Sequence, residues 1–193
     1  MRKSPLLAVL AFVTASSTLL SACVPVVIGA AVAGTALVVA DRRSVGAQAD
    51  DEAIELKISN NVGSTFGDRV HVSVTSYNGI VLLTGEVPTA ELKAQVEQVA
   101  RTTAKVRRVD DELAIGAVTS IGARSNDAYI TSKVKARLVE SNKVPANLVK
   151  VVTERQIVYL MGILSHAEAD AAAQIAATTS GVMRVVKVFE YTD

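Results

Sequence analysis

The chain has 193 residues, half of them hydrophobic, with 20 basic and 19 acidic side chains and a formal net charge of +1. That length allows one or two small domains, and the near balance of charge argues against nucleic acid as a partner, since such binding rests on neutralising phosphates. Two histidines, one cysteine and no phosphate-binding glycine loop, zinc spacing or serine-nucleophile motif give no expectation of catalysis, a metal or a cofactor.

The first 22 residues read as a secretory leader. Arg2 and Lys3 precede an apolar run from Leu6 to Val13, and small residues follow up to Leu20-Ser21-Ala22-Cys23. The last four resemble the lipobox of bacterial lipoproteins, which implies cleavage before Cys23 and acylation of its sulfur. An unpaired cysteine in a secreted chain is thereby explained. Cleavage removes Arg2 and Lys3 and takes the charge to −1. In that lipoprotein class an aspartate after the cysteine retains the protein at the inner membrane; Val24 here implies export to the periplasmic face of the outer membrane. Residues 23–49 form the lipidated anchor and tether, and residues 24–40 are charge-free and rich in Ala, Val and Gly. Asp41-Arg42-Arg43-Ser44 marks the exit from this apolar stretch.

The remainder is one unit written twice. Asp51, Ile54, Lys57 and Ile58 fall on Asp127, Ile130, Lys133 and Val134; Val74, Val81, Leu83 and Gly85 fall on Val151, Val158, Leu160 and Gly162. The copies span residues 50–115 and 126–193, with 116–125 as linker. Each opens with a helix: Ile130, Val134 and Leu138 make one apolar stripe, with Asn126 or Asp127 expected as its cap. Asp50-Asp51-Glu52 are read in the same way, as capping and first-turn acids. Val70, Val72 and Val74 then alternate with polar residues, as in a strand with one buried face. Asn78-Gly79 supplies a tight turn into Ile80–Thr84, whereas Glu154-Arg155-Gln156 suggests a looser turn into Ile157–Met161. Ser165 and Glu168 have the spacing of a capping box for a second helix, and Gly181 suggests its stop. A last alternating strand closes each copy. The order helix-strand-strand-helix-strand predicts an α+β fold, two small mixed three-stranded sheets covered by helices.

This pattern resembles the BON domain, through Ile54, Lys57, Ile58, Ile80–Leu83, Gly85 and Val106–Val109, and through Ile130, Lys133, Val134, Val158, Leu160, Gly162, Gly181 and Val182 in the second copy. The arrangement from lipobox to last strand is similar to dual-BON outer-membrane lipoproteins. That resemblance implies a non-catalytic protein that supports outer-membrane integrity near the division site and binds anionic phospholipid such as phosphatidylglycerol. It assigns the contact to the first helix of the second copy, where Tyr129 holds the family's aromatic position.

The residues lend partial support. Residues 50–115 carry 11 acidic and 7 basic groups, while residues 126–193 carry 7 and 8, so the second copy repels an anionic surface less. Tyr129 and Lys133 share a helix face that Arg137 continues. The blander account is an ordinary solvated face opposite a core stripe. The rival function is a periplasmic adaptor that engages proteins of outer-membrane assembly or cell-wall remodelling. His71 and His166 are read as isolated, with no acid–base constellation beside either.

Overall fold

The computed structural model describes residues 41–193. The leader, Cys23 and residues 24–40 lie outside the described residues, and so do the expectations that rest on them. The first module comprises α1 (Val45–Phe66), β1 (His71–Tyr77), β2 (Ile80–Val87), α2 (Ala90–Arg101), β3 (Arg108–Asp111) and the short β4 (Ala114–Ile115). The second comprises α3 (Ile121–Ser141), β5 (Lys150–Glu154), β6 (Ile157–Leu164), α4 (His166–Ala177) and β7 (Arg184–Tyr191). In each module the middle strand pairs antiparallel with the strand before it and parallel with the strand after α2 or α4. β4 extends the first sheet alongside β2. These are the two helix-covered mixed sheets that the repeat pattern predicts.

The helix starts differ from expectation. Ser44 and Ser120, not the acids, cap α1 and α3: their hydroxyls accept from the amides of Ala47 and Ala123. Both helices therefore begin nearly two turns earlier, and α3 takes up half of the segment read as linker. Asp51 and Asp127 sit inside the helices and are only 3% and 4% exposed. Each is aimed at the hairpin of its own module. Asp51 accepts from the amides of Asn78 and Gly79 at 2.7 and 2.8 Å and from the Ser76 hydroxyl at 2.6 Å. Asp127 accepts from the amides of Arg155 and Gln156, both at 2.9 Å.

This clamp explains why the second hairpin is not loose. Asn78 and Gly79 have φ of 52° and 74°, and Arg155 and Gln156 have 52° and 62°. Two consecutive left-handed residues make the same two-residue turn in both modules, and the carboxylate below holds residues that would not choose it alone. The Ser165–Glu168 capping box is present as expected. Gly181 is not the helix stop: α4 ends at Ala177, and Gly181, at φ +95°, forms part of the following turn against Ile130.

Helices and strands meet in two cores of the same design. Ile54, Ile58, Val62, Val81, Leu83 and Val96 pack in the first, and Ile130, Val134, Leu138, Val158, Leu160 and Ala172 in the second. Alternation assigns the other strand positions to the opposite sheet faces, which the one-sided reading leaves to solvent. They are buried instead. Tyr77, Ile80 and Leu82 pack against Tyr159, Met161 and Val188 in a third core between the two sheets. Every position of β2 is buried. Completely buried Leu82 and Met161 each contribute about 1.5–3 kcal/mol.

Adjacent arginines reinforce this union at the start of the described chain. Arg42 makes a two-pronged pair with Glu168 (2.8 and 2.9 Å) and donates to the Ile163 carbonyl, all in the second module. Arg43 turns to the first, pairing with buried Asp51 at 2.9 Å and lying 4.0 Å over the Tyr77 ring. The bonds from Arg42 hold the Glu168 carboxyl at about 2, against some opposition from burial. A depressed carboxylate stabilises the fold above its unfolded value near 4.5 and stops doing so as pH falls towards 2. Arg42→Ala should therefore destabilise more near pH 6 than near pH 2, where only the bond to the Ile163 carbonyl remains to be lost, in urea titrations taken at several pH values. A constant difference across that range would contradict this role.

Candidate functional site

The proposed contact residues lie on α3, whose inner stripe (Ile130, Val134, Leu138) is buried in the helix–sheet core. The outer face is open. Tyr129 is 62% and Val139 64% exposed, in line along the helix with exposed Ser132 and Ala136 and flanked by exposed Lys135. The Lys133 ammonium stands 4.6 Å from the centre of the Tyr129 ring, a cation–π arrangement that orders the ring. It also donates to the Ser180 carbonyl.

Tyr129 and Lys133 are thus brought together, and Arg137 is placed differently. Its guanidinium turns towards the end of α4 and donates to the Ile175 carbonyl (3.0 Å) and the Thr179 and Thr178 hydroxyls (2.8 and 3.1 Å). These bonds tie α3 to α4 and commit most of its donors. Lys135, the third basic group of this helix, and Val139 are also exposed, but they line a cavity with Arg43 and Tyr77 and not with Tyr129. Among the described residues no helix is long and apolar enough to cross a membrane.

The histidines are less isolated than expected. His166 Nδ1 lies 2.8 Å from Asp193, and its ring stacks 4.0 Å from that of Tyr191. His71 Nδ1 lies 3.1 Å from buried Glu86, and Glu154 of the second module completes a cluster with them. The sequence reading missed this because Glu86 and Glu154 come from strands of different modules. Burial, with the nearby Glu86 charge, raises the Glu154 carboxyl above its ordinary value.

Two consecutive α-β-β-α-β units of one design define a duplicated small-domain protein. The chain belongs to the BON-domain family, whose model matches residues 50–117 and 126–193. It is 37% identical over 186 residues to the outer membrane lipoprotein DolP of Haemophilus influenzae, covering 95% of this chain and 96% of that one. It is also 37% identical to a 21 kDa hemolysin of Actinobacillus pleuropneumoniae, over 78% of this chain and 79% of that one. Osmotically-inducible protein Y of Escherichia coli is 31% identical, over 73% and 72% of the respective chains.

Proposed function

We propose that this protein is a non-catalytic lipoprotein, acylated on Cys23 and held at the periplasmic face of the outer membrane. In this reading the outer face of α3 docks on anionic phospholipid, phosphatidylglycerol being the suitable headgroup, and supports membrane integrity near the division site. The observation that carries it is the exposed Tyr129 ring with the Lys133 ammonium stacked on it. An amphipathic ring suits the boundary between headgroups and chains, and a cation at the same depth suits a phosphate. Arg137 acts as a positioning residue that fixes α3 on α4. Two observations on the molecule's relatives agree: one is an outer membrane lipoprotein, and its similarity runs the length of both chains.

Attachment through Cys23 would keep this weak surface near lipid at high effective concentration. Residues 41–193 contain all three cores, so the soluble part can be tested alone. It should co-sediment with vesicles containing phosphatidylglycerol and not with purely phosphatidylcholine vesicles. Tyr129→Ala and Lys133→Glu together should weaken that binding at least tenfold while the protein stays folded, because the change costs the fold only the Lys133 bond to the Ser180 carbonyl and leaves all three cores untouched. Wild-type protein that binds neither vesicle, or a double variant that binds like wild type, would remove α3 as the lipid surface. The adaptor for outer-membrane assembly or wall-remodelling proteins would then be the reading to pursue.

A further inference from the structure

A second site lies in the seam between the modules. His71 on β1 and Glu86 on β2 stand opposite each other in the register of the first sheet, on the face turned towards the second. Glu154 at the end of β5 comes from the other module. Each of the three offers a ligand atom, and these atoms lie within 4.8 Å of one another. Glu86 is 1% and Glu154 8% exposed. The Oε1 atom of each is buried without a hydrogen-bond partner. Two carboxylates from separate modules, pressed together out of water with an unanswered oxygen apiece, oppose folding unless something positive joins them.

Protein groups meet only part of that demand. His71 Nδ1 and the Thr119 amide and hydroxyl, at 3.1, 3.2 and 3.3 Å, all serve Oε2 of Glu86. The Arg124 guanidinium lies 3.4 Å from the other ring nitrogen of His71 and also lowers the Glu154 carboxyl from a distance. Asp127 faces the same pocket, although its two oxygens are engaged by the hairpin amides.

We propose that His71, Glu86 and Glu154 form a zinc-type divalent-cation site that pins the two modules together. One imidazole nitrogen and two carboxylate oxygens, with a fourth position for water, make a suitable tetrahedral donor set. A metal about 2.0–2.1 Å from each ligand places the ligand atoms roughly 3.3 Å apart; His71 Nδ1 already stands 3.1 Å from the Glu86 carboxylate, whose unpartnered Oε1 can take the ion while Oε2 keeps Thr119. Modest rotation of Glu154 closes the remainder. Calcium and magnesium fit poorly, because they require six or more oxygens. Entry is open: Glu154 borders a pocket of about 210 Å³ with His71 and Arg124, and a groove of about 870 Å³ on its other side. Arg124 is exposed and can turn to solvent when Nε2 takes the ring proton.

The test uses chelator-treated residues 41–193 with zinc chloride, followed by calorimetric titration and thermal unfolding at pH 7.5. One ion should bind per chain, and zinc at a hundredfold excess over its Kd should raise Tm by about 5–10 °C. Calcium and magnesium should do neither. Glu154→Gln keeps the shape and removes the unanswered charge, so it should unfold at an equal or higher temperature without metal, yet bind zinc at least tenfold more weakly. His71→Ala, as a second variant, should also lose the zinc response. Cobalt(II) should give the visible absorption of a tetrahedral ion in the wild type and not in Glu154→Gln. Absence of zinc binding, equal effects of calcium, or zinc binding that survives both substitutions and so sits elsewhere, as at His166 and Asp193, would overturn the proposal.

Discussion

Asp51→Ala is expected to destabilise the first module by about 4 kcal/mol or more. The carboxylate answers two hairpin amides and the Ser76 hydroxyl, and it pairs with Arg43. A buried donor that loses its partner costs about 1–3 kcal/mol, three donors are affected, and Arg43 keeps only its pairing with Asp41. Against a typical total of about 5–15 kcal/mol, such a loss should leave the turn at Asn78-Gly79 frayed and β1 poorly held. Urea unfolding followed by circular dichroism measures it. Asp127→Ala provides an internal control, because its carboxylate holds two amides and, among the described residues, forms no ion pair; it should cost about 2–4 kcal/mol. Equal and small effects at both positions, below about 1 kcal/mol, would mean that water replaces the carboxylates and that neither is a clamp.

Gly85→Ala should be of similar severity for a different reason. Gly85 has φ +114°, which an L side chain rarely adopts, and an added Cβ would stand 2.0 Å from the His71 carbonyl oxygen and 2.9 Å from its carbon. Those are backbone atoms of the paired strand, where Val72 faces Gly85. Relief therefore requires the strands to part, at an expected cost of about 4 kcal/mol or more. Its repeat counterpart, Gly162, meets the Leu148 carbonyl oxygen at 2.5 Å but carries no positive φ. Gly162→Ala should cost less, by at least about 1 kcal/mol, since the strain of an unfavourable φ is absent. Thermal unfolding of the two single variants decides the order, and the reverse order would show that the close approach, rather than the backbone angle, dominates.

The two glycines illustrate how far the sequence could be read. Their equivalence followed from the repeat, as did the helix stripes through Ile54 and Ile130, the Asn78-Gly79 turn and the capping box at Ser165. Those features are local: a period, a turn dipeptide or a three-residue spacing settles each. The third core was not local. Its members occupy alternate positions in the strands, and the visible alternation in β1 suggested one buried face. The unbroken apolar runs Ile80–Leu83 and Ile157–Leu160 carried the correct message, because a strand covered on both sides has no polar alternate.

The acids misled for the same reason. Asp51 and Asp127 look like helix caps when only their own helix is considered, and their partners lie more than 20 residues away in the hairpins. Serine is an equally good cap, and Ser44 and Ser120 stood upstream. On α3, sequence spacing put Tyr129, Lys133 and Arg137 along one side, but spacing could not tell that Arg137 spends its donors on α4 while Lys133, though bonded to the Ser180 carbonyl, also stands over the ring. Arg137 found three acceptors around the end of α4, leaving Lys133 beside the ring.

The face shared by the two sheets has a consequence for how such a chain could arise. Were the modules separate polypeptides, each would expose Leu82 and Ile80, or Tyr159 and Met161, and their pairing would depend on how many copies the compartment held. Joining them in tandem replaces that dependence with an effective concentration in the millimolar range, set by the short connection. Dilution of the protein across a large membrane surface then leaves the pairing intact. A single module released by proteolysis would regain the exposed face, and with it a tendency to associate with any partner offering a similar sheet.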